Sequence, residues 1–192
     1  EKGLKGVLIR NGKVYAKGKA QPTLAICPDM TLRIYERGVS ADTILEDGVQ
    51  NTFGFGPALV RDGAVAQEEC SKHSVRFMNP RAGLGMIEPG HYVAIVVDGR
   101  QKEYSIGVTL LEYAEMFVNE GCTVAYNMDG GISAGIVFMG ENLNQHKKGG
   151  NGRISSQRPW PDALLFGYSE TVPTLDDPIY NTGNLDEKIP RN

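Results

Sequence analysis

The segment Asn127-Met128-Asp129-Gly130-Gly131-Ile132-Ser133 gathers an amide, a carboxylate, a hydroxyl and two adjacent glycines in one short stretch. Paired glycines after an Asp let the backbone turn sharply at positive φ, so its N–H groups can approach a ligand closely. Consecutive N–H groups in such a turn form an anion-binding nest, and Asn127, Asp129 and Ser133 would ring it. Asp-Gly also closes ordinary turns, as expected at Asp47-Gly48 and Asp62-Gly63. A single turn does not need as many special residues as this loop carries. A second acidic corner, Val96-Val97-Asp98-Gly99-Arg100, is either a plain turn or a second contributor to the same chemistry. Arg81 follows Asn79-Pro80 at a strand entrance; its guanidinium either holds a phosphate through two parallel hydrogen bonds or makes a surface salt bridge.

Other reactive types are less promising. Cys70 stands beside His73 in Glu68-Glu69-Cys70-Ser71-Lys72-His73, but the segment reads as a solvated loop, and a thiol nucleophile needs a spatial partner that adjacency does not supply. Cys27 and Cys122 sit in apolar surroundings and read as buried thiols. Three widely spaced cysteines make no disulfide framework, and His73, His91 and His146 are isolated from any zinc-type spacing. Gly83-Leu84-Gly85 is followed by strand-like Met86-Ile87, which rules out a phosphate loop opening a helix. Trp160, flanked by Pro159 and Pro161, either stacks a sugar or packs beneath its loop.

These groups must be positioned by a scaffold, and its elements are readable. Residues 6–10 and 13–16 flank Asn11-Gly12, a strong hairpin signal because both residues tolerate positive φ. Residues 23–27 and 31–35 flank Pro28-Asp29-Met30; there Leu32 and Ile34 are expected to be buried, with Arg33 and Tyr35 in water. Ser40 is placed to cap a short helix over 41–46, ended by Gly48. Residues 58–60 and 64–66 pair around Arg61-Asp62-Gly63, and 67–79 read as loop. Residues 82–88 and 92–98 form a hairpin through Pro89-Gly90; the unbroken apolar run 92–97 predicts a central strand covered on both faces. Thr109-Leu110-Leu111-Glu112 is a capping box opening a helix that Gly121 ends, with Leu110, Ala114, Phe117 and Val118 on one face. Strands are expected at 123–126, 135–139 and 163–166, a flexible basic loop at 145–152, and a polar tail at 169–192. The fold class is therefore α+β: a mixed, mostly antiparallel sheet with few helices packed on it.

At 192 residues the chain can bury one good core, and 41% hydrophobic with 22% charged residues is ordinary for a globular protein. A net charge of −3 gives no reason to expect nucleic acid, and no apolar run is long enough to span a bilayer. No export signal is visible at Glu1-Lys2-Gly3; the absence of Met there is read as processing or trimming.

Taken in order, several segments resemble the phosphodiester glycosidase family: residues 53–60 (Phe-Gly-Phe-Gly-Pro-Ala-Leu-Val), Asn79-Pro80-Arg81, Val97-Asp98-Gly99-Arg100, Ser105-x-Gly107-x-Thr109-Leu110, and Asn127-x-Asp129-Gly130-Gly131-x-Ser133, with Asn144 and Arg153 following. The likeness runs from about Gly6 to Phe166 and sets a domain over 1–168. The resemblance implies hydrolysis of a sugar 1-phosphodiester, in cell-envelope or exopolysaccharide metabolism and so outside the cytoplasm. It implies Asp129 as catalytic carboxylate and Asp98 as a second carboxylate or orienter. Arg81, Arg100 and Arg153 would grip the phosphate, and Asn127, Gly130, Gly131 and Ser133 would contact sugar hydroxyls or phosphate oxygens. No cofactor is called for; a divalent cation, where one takes part, would sit on Asp129. The partner is a phosphorylated glycan or sugar phosphodiester. Two departures stand out: Ile132 and Ala134 replace a Gly and a Ser usual in the family, and its opening Asn-Gly strand is not found here. They favour the alternative of a non-catalytic glycan-binding module.

Overall fold

The computed structural model describes residues 6–145 and 163–166. The chain divides into two units, Glu1–Trp160 and Pro161–Asn192. In the second, residues 163–166 are irregular with Leu165 and Phe166 exposed, so the strand expected there does not form. His146, Trp160, the basic loop beyond Gln145 and the 169–192 tail lie outside the described residues.

The first unit opens with hairpin β1 (Val7–Arg10) and β2 (Lys13–Lys17), turned through Asn11 and Gly12 at φ 48° and 72°. Next, β3 (Thr23–Ile26) pairs antiparallel with β4 (Leu32–Tyr35). Helix α1 (Ala41–Glu46) starts at Ser40, whose hydroxyl accepts from Thr43 N–H, and ends before Gly48 at φ 78°. Strand β5 (Asn51–Phe53), which the sequence reading did not resolve, pairs with β3. Two buried threonines fasten β1 to this sheet: Thr23 Oγ1 accepts from Val7 N–H at 2.9 Å and Thr52 Oγ1 from Ile9 N–H at 2.8 Å. Tyr35, expected in water, is buried; its hydroxyl donates to Asp47 at 2.6 Å, so the ring closes the small core formed with Val7, Ile9, Ile44 and Val49.

The larger sheet is built from β6 (Ala58–Arg61), β7 (Ala64–Val65), β8 (Arg81–Glu88), β9 (His91–Val97) and β10 (Val124–Asn127), ordered β7-β6-β10-β8-β9 and antiparallel at every pairing. Helix α2 (Gln67–Lys72) precedes β8, and α3 (Leu110–Asn119) lies across the sheet with its capping box formed as expected. The order corrects one expectation: 92–97 is an edge strand and β10 is central. Val93, Ile95 and Val97 pack beneath α3, which makes one face apolar, while the strand keeps only β8 as partner among the described residues. Glycines in β8 let the helix sit close. A Cβ at Gly83 would lie 2.8 Å from the Tyr113 hydroxyl, and one at Gly85 2.7 Å from the Phe117 ring. The Gly83-x-Gly85 pattern is thus a packing seat. The Tyr113 hydroxyl donates to Ile95 C=O at 2.6 Å, and its ring meets Phe117 edge-to-face at 5.2 Å between centroids.

Residues 67–72 are helix and not loop, because Cys70 enters the core beside Leu59, Leu110 and Tyr113. Beyond β10 come a single 3₁₀ turn over Gly131–Ser133 and a small hairpin of β11 (Val137–Phe138) and β12 (Glu141–Asn142), shorter than the strand expected at 135–139. With three α-helices among the described residues and antiparallel pairing throughout, the architecture is α+β, mostly antiparallel.

Candidate functional site

Three backbone corners meet at Asn79-Pro80-Arg81, and glycine makes each approach possible. A Cβ at Gly99 would stand 2.8 Å from Pro80 N, one at Gly107 2.5 Å from the Asn79 carbonyl, and one at Gly130 2.6 Å from Pro80 O. Asn79 and Val108 also exchange backbone hydrogen bonds at 3.1 and 3.2 Å, and Gly131 N–H donates to Pro80 O at 2.9 Å. The Asp-Gly, Ser-x-Gly and Asp-Gly-Gly motifs, far apart in sequence, are therefore one junction. Its mouth is a cavity of about 240 Å³ lined by Phe55, Val75, Asn79, Pro80, Arg81, Arg100, Asn127, Asp129, Gly130, Gly131 and Ile132.

The cationic side of this cavity is built by burial. Arg81 is only 3% exposed. Its Nη2 donates to Val75 O at 2.7 Å and Phe77 O at 2.5 Å, and its Nε to Val108 O at 3.2 Å; Nη1 takes no part in these bonds. Burial, with the charge of Arg100 adding to it, pulls Arg81 below the ordinary guanidinium value, yet a guanidinium so held stays protonated at neutral pH. Arg100 sits at φ 61°, a left-handed conformation that costs a non-glycine residue about 1–2 kcal/mol. Its Nη2 donates to Asn79 Oδ1 at 2.8 Å, and its guanidinium flanks Gly131. Neither arginine forms an ion pair with any Asp or Glu among the described residues. Arg81 is buried and Arg100 exposed, and two neighbouring cations without an acidic partner among the described residues give this side of the cavity a positive potential.

Asn127 terminates β10 at 1% exposure. Its backbone N–H donates to Pro57 O at 3.0 Å, its C=O accepts from Gly56 N–H at 3.1 Å, and its side-chain Nδ2 donates to Gly56 O at 2.8 Å. Oδ1 is buried and accepts no hydrogen bond from the described residues. Asp129, half-buried, lines the same cavity two residues on.

Of the residues singled out in the sequence, Arg81, Arg100, Asn127, Asp129, Gly130 and Gly131 are brought together. Asp98 and Ser133 do not line the cavity. The Asp98 carboxylate serves as a brace: Oδ1 accepts from Asn144 Nδ2 at 3.0 Å, Oδ2 from Tyr104 hydroxyl at 3.1 Å and from Gln145 N–H at 2.8 Å. Asn144 carries the brace onward to Ala134 O and Ile136 N–H, and Ser105 Oγ donates to Asp98 O at 2.6 Å. Arg153 lies outside the described residues. The expected nest is not formed in full: only Gly131 has positive φ, and the N–H groups of Gly131, Ser133 and Ala134 are spent on Pro80, Gly130 and Gly131 carbonyls. Ile132, 46% exposed, is tolerated because its position needs no left-handed backbone.

Sequence reasoning did not place Phe55, Val75, Asn79, Pro80 and Ile132 in the wall. Phe55 and Asn79 lay inside the quoted motifs, which was the available signal; Val75 carried none. Cys70 is fully buried with its thiol pushed up to about 12 by desolvation and Glu69, so the cysteine nucleophile falls away. Cys27 and Cys122 are likewise buried and free. Among the described residues no group of three or more His, Cys, Asp or Glu side chains is arranged to hold a metal ion, and no helix is long and apolar enough to cross a membrane.

Comparison with known proteins bears on this geometry. The family model for phosphodiester glycosidase matches residues 1–167. The SPbeta prophage-derived uncharacterized protein YomE of Bacillus subtilis (strain 168) is 32% identical over 144 residues, covering 74% of this chain and 21% of that protein. The catalytic domain of zebrafish N-acetylglucosamine-1-phosphodiester alpha-N-acetylglucosaminidase, auto-inhibited by its pro-peptide, superposes with a TM-score of 0.61 at 24% identity, over 73% of this chain and 50% of that one. The chain thus spans about a fifth of the Bacillus protein and half of the zebrafish domain.

Proposed function

The chain belongs to the phosphodiester glycosidase family, and we propose that it hydrolyses a sugar 1-phosphodiester at the bond between the anomeric carbon and the phosphate oxygen. One observation carries this reading: Arg81 and Arg100, with no acidic partner among the described residues, share a cavity with the Asp129 carboxylate. A phosphodiester is a monoanion that two guanidinium groups can match through parallel hydrogen bonds.

The leaving group explains why one carboxylate suffices. An ordinary glycosidase expels an alkoxide and needs a second carboxyl group to protonate it. Here the departing group is a phosphomonoester, whose second pKa is about 6, so charge neutralisation replaces protonation. In the proposed roles, Asp129 takes a proton from the attacking water and Arg81 and Arg100 stabilise charge on the departing phosphate. Asn127, Gly130 and Gly131 line the substrate's seat. Asp98 holds the corner that presents Arg100, and Ser133 and Arg153 stay as candidate contacts. A divalent cation carried in on the phosphate would find Asp129 in the same cavity, so assays include added Mg²⁺ and EDTA. The setting implied by the family resemblance is extracellular or cell-envelope glycan metabolism.

The second reading is a non-catalytic glycan-binding module, favoured by the fact that Asp98 does not join Asp129 in the cavity. One experiment separates the two. The protein is incubated with a methyl N-acetylglucosaminyl phosphodiester and with a UDP-sugar in ¹⁸O-water, and the products are weighed by mass spectrometry. The enzyme reading expects label on the sugar hydroxyl and none on the phosphate. It expects Asp129→Asn to lower turnover about 10²–10⁴-fold, the usual contribution of general acid–base catalysis. Tight binding of the diester without hydrolysis above background would establish the binding module instead.

A further inference from the structure

Arg81 and Asn79 share their acceptors. Phe77 O accepts from Arg81 Nη2 at 2.5 Å and from Asn79 Nδ2 at 3.1 Å. Val108 O accepts from Arg81 Nε at 3.2 Å and from the Asn79 backbone N–H at 3.1 Å. A carbonyl oxygen has two lone pairs, so both acceptors are fully used and the two residues are held as one unit. The Asn79 amide has a single orientation in this setting. The Phe77 carbonyl can only accept and the Arg100 guanidinium can only donate, so Nδ2 faces Phe77 and Oδ1 faces Arg100. Arg100 is held in a different way from Arg81. Arg81 is buried and donates three hydrogen bonds to backbone carbonyls. Arg100 is exposed, and among the described residues its side chain makes one hydrogen bond, from Nη2 to Asn79 Oδ1 at 2.8 Å. A long exposed side chain loses rotamer freedom when it engages a ligand, and a bond that restricts it beforehand reduces that loss.

We propose that Asn79 is a positioning residue for the two arginines: it ties the exposed Arg100 guanidinium to the Phe77 carbonyl that also fixes Arg81, and so sets the spacing at which the pair meets a phosphodiester. The inference rests on the phosphodiester reading and adds to it the residue through which Arg100 is brought to bear. Asn79→Ala should weaken diester binding about three- to tenfold, or about 0.7–1.4 kcal/mol. That is the range for immobilising one rotamer-rich side chain on binding.

The test is a double-mutant cycle read by calorimetric binding, which does not depend on turnover. The probes are a methyl N-acetylglucosaminyl phosphodiester and dimethyl phosphate, the sugar-free diester. Asn79→Ala is made in the wild-type protein and in Arg100→Ala, and each variant is checked for folding by its melting temperature. A residue that acts through Arg100 has nothing to position once Arg100 is gone. The expected result is therefore the three- to tenfold loss in the wild-type background, by the same factor for both probes, and binding within about 1.5-fold in the Arg100→Ala background. Should Asn79→Ala not fold, Asn79→Ser takes its place in the cycle. Should Arg100→Ala bind too weakly to measure, the side-chain N–H order parameters decide: in Asn79→Ala that of Arg100 should fall and that of Arg81 should hold. Equal weakening in both backgrounds, a loss confined to the sugar probe, unchanged binding in Asn79→Ala, or an unchanged Arg100 order parameter overturns the assignment and leaves the phosphodiester reading standing. Failure of the wild-type protein to bind either probe overturns both.

Discussion

Gly130→Ala tests the junction on which the site stands. Gly130 has φ −112°, a value any residue adopts, so backbone strain is not the issue. The added methyl carbon would fall 2.6 Å from Pro80 O and 3.4 Å from Arg81 Cα. The first contact is about 0.8 Å shorter than ordinary van der Waals distance, and the atom it meets is backbone, so no side chain can swing away. Pro80 O also accepts from Gly131 N–H at 2.9 Å, so relieving the clash stretches that hydrogen bond. Overpacking of this kind costs about 1–3 kcal/mol, and the bond adds about 1 kcal/mol if lost. For a chain of this size, about 2 kcal/mol lowers the melting temperature by roughly 4–8 °C. The shift also moves Asp129 against Arg81, and a displacement near 1 Å can cost a hundredfold in rate. Calorimetric melting and binding of the methyl glycosyl phosphodiester are the assays. A variant that melts within 1 °C of wild type and binds the probe unchanged would falsify the close apposition of the two loops.

Three further outcomes follow from the same geometry. Gly131→Ala, at φ 62° with Arg100 Nη2 3.3 Å from the new carbon, should cost about 1–2 kcal/mol and weaken the phosphodiester probe several-fold; Gly90→Ala, at φ 79° with open space around it, should cost similar stability and leave binding unchanged, as melting and calorimetry would show. Phe117→Ala empties the fully buried seat over Gly85 and should cost about 3–5 kcal/mol by urea denaturation. Cys70 has its folded pKa raised from 9.0 to about 12, so its contribution is intact below pH 9 and is lost as pH rises toward 12. Denaturation curves between pH 8 and 10 should therefore show a decline in stability that is shallower in Cys70→Ala.

Elements with strong local chemistry were legible from the chain alone. The Thr109–Glu112 capping box and the Ser40 cap are satisfied by atoms within a few residues, and the Asn11-Gly12 turn is marked by two residue types that tolerate positive φ, so no distant contact was needed to foresee them. Helix α2 was missed because its cap position, Ala66, makes no side-chain hydrogen bond and its first turn is acidic and polar; the burial of Cys70 against α3 and β6 decides that segment. The apolar run of β9 showed that something covers it, but one helix on one face and a central strand's two neighbours leave similar patterns in sequence. The order of strands is set by long-range pairing, which has no local signature.

The site divides the same way. Residue type and spacing were enough to single out Asn127, Asp129, Gly130 and Gly131, which cluster in one loop, while Arg81 stayed balanced against a surface salt bridge and Arg100 was chosen through the family resemblance. Only the tertiary structure decided that the glycines serve backbone contacts at Pro80 more than an anion nest, and that Asp98 braces Asn144 and Gln145 away from the cavity. It also decided that the Asn127 side chain is tied to the Gly56 carbonyl and buried at the end of β10. The reason is common to all three: sequence names which groups are present, but a hydrogen bond or a steric contact is a property of two groups whose separation only the fold determines.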